Sequence, residues 1–175
     1  ALSMNNSPEN DDIDLMLVTA SHSLWLTRLI VVLLFAVTGL RRSPGHSEHS
    51  SPRVRDKICD NLYLDLNHLQ IHHLPINLSP INQSTNIFLA HEILQAKCLF
   101  DRGGVHRQFL LANSWVKRYL PIAYTQTLKT CLPAVEIKKP NALLFTVNCL
   151  LFTVQYLYMR SRLSREKIGL GYAFF

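Results

Sequence analysis

Residues 141–159 read NALLFTVNCLLFTVQYLYM, and none of them is charged. An apolar run of this length is enough for a helix across the ~30 Å hydrocarbon core of a bilayer. Lys138 and Lys139 precede it, and Arg160, Arg162, Arg165 and Lys167 follow. Tyr156 and Tyr158 stand near its end, where aromatic rings anchor helices at a membrane–water boundary. The sequence therefore predicts one transmembrane helix over 141–159.

Within this run LLFTVNC is followed at once by LLFTVQY. Seven residues complete nearly two helical turns, so Asn141, Asn148 and Gln155 share one stripe. Lipid tails offer a carboxamide no hydrogen bond, whereas a contact across helices is worth roughly 0.6–2 kcal/mol. These three residues are the expected interface with a partner helix, and Arg162 continues the stripe beyond the run.

Working outward, a second apolar block covers 13–40 after a polar N-terminal tail, 1–12. Its densest part is LWLTRLIVVLLFAVTGL, residues 24–40. Arg28 sits near one end, from where a long side chain can snorkel to the interface. The block is a first membrane-helix candidate. Residues 41–59, with Pro44, Gly45 and Pro52, form a linker.

The extramembrane segment, 60–140, opens on LYLDLNHLQIHHLPINLSPI, residues 62–81, whose leucines and isoleucines alternate. Period two favours extended structure, and Pro75 and Pro80 restrict pairing to an edge. An extended strap lying on a partner is expected. Ser84, Thr85 and Asn86 are candidate caps for a helix to about Phe100, which Gly103 and Gly104 would stop. A second helix, 105–120, would complete a helical hairpin closed by Pro121, with 121–140 irregular. A basic C-terminal tail, 160–175, ends the chain. The expected fold is mainly α: one or two transmembrane helices joined by a partly helical, partly extended basic extramembrane segment.

Lysine and arginine number 18 against 12 acids, a net charge of +6. That balance favours an anionic surface. Arg41, Arg42, Arg160 and Arg162, at the edges of the apolar blocks, are the expected contacts with lipid headgroups or another anionic group. Charge also raises a conflict. The loop 41–140 carries 13 basic and 7 acidic residues, and the tail after Met159 carries four basic residues and one acid. With two spans these segments lie on opposite sides, yet basic residues collect on one side of a membrane.

Signatures of chemistry are sparse. Cys59, Cys98, Cys131 and Cys149 form no zinc spacing. Asp65, His68 and His72 would share a helical face as a carboxylate–His–His set, but the alternation there argues against a helix. His46 and His49 lack a third ligand nearby, and His22, beside the first apolar block, has no histidine partner in the last helix for haem. Trp115, Lys117, Arg118 and Tyr119 mix bases with aromatics as single-strand binders do, but a solvated basic face explains them. Asn82-Gln83-Ser84 is a glycosylation triplet. No nucleophile elbow or phosphate loop occurs. No catalytic residue, cofactor, metal or small-molecule substrate is assigned, and the expectation is a protein that is not an enzyme.

The composition points to an accessory subunit of a larger membrane protein complex, whose partners are other subunits and membrane lipids, not nucleic acid. Its basic, acid-poor chain and a start at Ala1 that suits a processed precursor point to the mitochondrial inner membrane. A stand-alone pore or membrane remodeller, and a ribosome-associated protein with buried apolar helices, are the competing classes.

Overall fold

The computed structural model describes residues 13–41, 57–72, 80–134, 142–160 and 167–174. They fall into two compact units, one within 69–134 and the other joining 13–68 to 142–174. The fold is mixed: helices make up most of its ordered elements, as the mainly α expectation has it, and the second unit adds a four-stranded sheet.

In that unit β1 (Ile13–Thr19) leads into α1 (Leu24–Val37), which returns the chain to β2 (Ile58–Asp65). β1 and β2 pair in parallel, from Ile13 opposite Ile58 to Thr19 opposite Asp65. This is a β–α–β crossover, the connection that parallel neighbours require. α5 (Ala142–Met159) follows later, then β3 (Lys167–Ile168) and β4 (Tyr172–Phe174). β4 runs antiparallel to both β2 and β3, giving the order β1-β2-β4-β3. Tyr63 and Leu64, adjacent and therefore on opposite faces, are both fully buried, as a central strand demands.

Two expectations are corrected here. The stretch 13–40 is not one membrane helix: Ile13–Thr19 is a strand, and α1 has 14 residues. At ~1.5 Å per residue α1 is ~21 Å long, short of a bilayer core. Of the strap expected over 62–81, Leu62–Asp65 is the end of β2, paired on both sides within its own chain; 66–72 is not strand, and 73–79 lies outside the described residues. Alternation marked a strand only over its first residues, Leu62–Asp65, and Pro75 and Pro80 lie beyond the end of β2 in sequence.

The other unit holds α2 (Pro80–Gln95), α3 (Val105–Ala112), a 3-10 turn (Ser114–Arg118) and α4 (Pro121–Thr130). Helix 105–120 is thus broken at Asn113. Its Nδ2 donates to Leu69 O and Phe109 O, at 2.8 and 2.9 Å, and its Oδ1 accepts Ile71 N–H at 2.8 Å. Asn113 is the C-cap of α3: its own N–H still reaches Phe109 O, at 3.1 Å, while its side chain ties the chain at 69–71 to the end of the helix. Pro121 opens α4 rather than closing a helix, since the first helical position needs no N–H donor. The region 121–130 is therefore helical, not irregular. Gly103 and Gly104 do not stop α2, which ends at Gln95. Gly104, at φ +67°, is the N-cap of α3, and a side chain there would run into the Pro133 carbonyl. The missing cap is supplied by Asp101, whose Oδ1 accepts Val105 N–H at 2.7 Å.

Candidate interaction site at the α1–α5 contact

α5 meets α1 through its carboxamides. Asn148 Oδ1 accepts the backbone N–H of Trp25 at 2.8 Å. Gln155 Nε2 donates to the Trp25 carbonyl at 2.8 Å, while its Oε1 accepts from Arg28 Nη1 at 2.6 Å. The contacts advance together along both helices, from Phe145 against the His22 ring to Met159 against Arg28, so the helices run in the same direction where they touch. Two residues of α1's first turns and the seven-residue spacing of α5 thus form one polar seam.

The seam has a physical logic on the α1 side. A helix begins with backbone N–H groups that lack partners. Ser23 is the N-cap but makes no cap bond, because its hydroxyl donates to Ala20 O at 2.7 Å. Asn148 replaces it from another helix. Asn148 Nδ2 is buried and has no hydrogen-bond partner among the described residues.

The seam continues into the sheet as a buried charged cluster. Burial pulls the Arg28 guanidinium below its ordinary value, and Tyr63 and Asp60 act in the opposite sense. Tyr63 Oη donates to Asp60 Oδ2 at 2.7 Å, and Arg41 Nε lies 3.4 Å from Asp60 Oδ1. Burial, then the hydrogen bond to Asp60, drives the Tyr63 phenol well above its ordinary value. Around the cluster Leu24, Trp25, Tyr63 and Ala173 form the core, flanked by Leu17, Val31, Leu151, Phe152, Met159 and Ile168. The Trp25 indole donates to Gly169 O and Leu170 O, each at 3.2 Å, tying the β3–β4 turn to α1.

The outer faces are the reverse of the seam. Leu143, Leu150, Val154 and Leu157 of α5 are exposed, as are Ile30, Leu33, Leu34 and Val37 of α1. Only 11% of α5 is buried, and its buried residues are Asn148 and Gln155. Thr146 and Thr153 face outward too, their hydroxyls closed onto Ala142 O and Cys149 O. α5 is the one helix among the described residues that is long and apolar enough to cross a membrane.

The structure brings Asn148 and Gln155 together, and the helix they face is α1 of the same chain. Asn141, Arg42 and Arg162 lie outside the described residues. Arg160 is exposed just past α5, whereas the Arg41 side chain is 32% exposed and turned to Asp60. Trp25, Asp60 and Tyr63 were not anticipated in the site. Arg28 was its one signal, since an arginine inside an apolar block needs either water or a buried partner.

Elsewhere, Asp65 Oδ1 stands 2.8 Å from His68 Nδ1 and accepts Asn67 N–H, pinning the turn after β2. Among the described residues no three His, Cys, Asp or Glu form a metal-holding group, so the set read at Asp65, His68 and His72 is not assembled. Trp115 and Tyr119 are engaged internally: Trp115 Nε1 donates to Asn113 Oδ1, and Asn86 Nδ2 donates to Tyr119 Oη. Cys131 Sγ lies 3.4 Å from His106 Nδ1. Burial raises the Cys131 thiol and lowers the His106 imidazole, the opposite of an activated thiolate–imidazolium pair.

No known protein family, curated protein or solved structure matches the chain.

Proposed function

We propose that this chain is a structural, accessory subunit of a membrane-associated assembly and that it works by docking. One observation carries the reading: the most deeply buried residues of α5 are its carboxamides Asn148 and Gln155, while Leu143, Leu150, Val154 and Leu157 stand exposed. A helix folded for water alone turns its apolar stripe inward. Large exposed apolar patches mark surfaces that something covers. Because Asn148 and Gln155 are turned to α1 and the outward hydroxyls of Thr146 and Thr153 are closed onto their own helix, the outer face suits lipid or an apolar partner surface.

The test is the whole chain with Leu150→Glu and Leu157→Glu on the outer face, beside the unaltered chain. The unaltered chain is expected to stay with carbonate-washed membranes and to migrate in a large complex on native electrophoresis in mild detergent. The double variant is expected to leave both while keeping its Trp25 fluorescence. An unaltered chain that is a monodisperse monomer in detergent-free buffer, absent from any complex, contradicts the proposal.

A further inference from the structure

We infer that the α1–α5 face lies in the plane of one leaflet of an anionic bilayer and that α5 does not cross it. The inference rests on the docking reading and names its occupant, lipid. The first argument is the sheet. Leu151, Phe152 and Met159, along the second half of α5, pack against the core of Leu24, Trp25, Tyr63 and Ala173, and α1, which shares that core, lies on β1 and β2. If α5 crossed the membrane, this sheet would sit at hydrocarbon depth. Its order leaves β1 and β3 as edges, and open sheet edges do not face lipid, because no water is there to satisfy their backbone groups. Laid flat, the same helix puts Leu143, Leu150, Val154 and Leu157 into the leaflet and leaves the sheet on the water side.

The second argument is charge, and it is independent of packing. Lys138 and Lys139 stand before α5, and Arg160, Arg162, Arg165 and Lys167 after it. A crossing helix would put these two basic groups on opposite sides, against the usual bias. A flat helix puts both at the same surface. No Asp or Glu occurs in α1 or α5, so nothing on this face repels anionic headgroups. Exposed Tyr158 and Arg160 lie at the end of α5, the residue types that settle at headgroup level.

The experiment uses the whole chain and sealed vesicles of phosphatidylcholine, with or without 30% phosphatidylglycerol. Binding is read by flotation and topology by trypsin added outside. The expected result is binding that is roughly tenfold or more stronger on the anionic vesicles and weakens with salt. Trypsin should cut the bound chain on both the Lys139 side and the Arg160 side. If one flank survives until detergent opens the vesicles, α5 crosses and the inference is overturned. If the chain ignores both vesicle types yet migrates in a large complex, the occupant is protein: the inference falls and the docking reading stands. Failure to bind vesicles and to enter a complex removes both.

Discussion

The carboxamide oxygen of Asn148 accepts the backbone N–H of Trp25 at 2.8 Å, so α5 supplies the cap that α1 lacks. Seven residues later Gln155 takes the Trp25 carbonyl and the Arg28 guanidinium. A polar stripe that reads as an invitation to a foreign helix is answered within the chain.

That arrangement sets the cost of removing it. Asn148→Leu leaves the buried Trp25 N–H unpaired and should destabilise the α/β unit by about 1–3 kcal/mol. Gln155→Leu should cost about 2–4 kcal/mol, because it removes the acceptor of Arg28 Nη1 and the donor to the Trp25 carbonyl together. Combining Gln155→Leu with Arg28→Met removes both partners and should recover part of that loss. Asn148→Asp keeps the acceptor and places a negative charge at the α1 N-terminus, so it should be milder than Asn148→Leu. Urea unfolding followed by Trp25 fluorescence checks the ranking; equal effects from all four would refute the seam.

The Tyr63 phenol titrates far above its ordinary value because it is buried and bonded to Asp60. In the unfolded chain it loses its proton near pH ~10, while the folded chain keeps it. Between those values the folded state binds more protons, so stability falls as pH rises. The α/β unit should therefore weaken above pH ~10. Tyr63→Phe should abolish that part of the loss while costing about 1 kcal/mol at neutral pH. Urea midpoints at neutral and alkaline pH, for both chains, measure this; an identical alkaline decline in both would count against it.

His106 gives the opposite pH response in the other unit. Burial holds its imidazole below the ordinary value, partly opposed by Asp101. Below pH ~6.5 the unfolded chain takes up a proton that the folded chain resists, so stability is lost on acidification. Amide exchange at Phe109 and Leu110 should quicken between pH 7.5 and 5.5, after correction for intrinsic rates, and less so in His106→Gln. A flat corrected profile in the unaltered chain would exclude the effect.

Some of this was legible in the sequence. The absence of charge over 141–159 marked the helix α5, observed from Ala142 to Met159, with Asn141 outside the described residues. The spacing of Asn148 and Gln155 gave their common face. What faced them was not legible, since Trp25 lies more than a hundred residues away and no local pattern reports that distance. β1 was lost for a related reason: IDLMLVT runs into the apolar block of α1, and a strand is specified by its neighbour as much as by its own residues. Pro121 is ambiguous in sequence because the end of one helix and the first turn of the next both use proline. Asn113 shows the limit most clearly, for a helix of good periodicity ends there and its side chain bonds Leu69 and Ile71.

The claim on which the rest depends is that Asn148 and Gln155 face α1 of the same chain. It is tested by hydrogen exchange of the Trp25 backbone amide in the purified chain, free of any other protein. An amide at the second position of a helix has no partner in the helix itself and exchanges rapidly when only water serves it. Protection of Trp25 comparable to the middle of α1, lost in Asn148→Leu, is the result expected. Rapid exchange at Trp25 in the isolated chain would show that Asn148 faces something else.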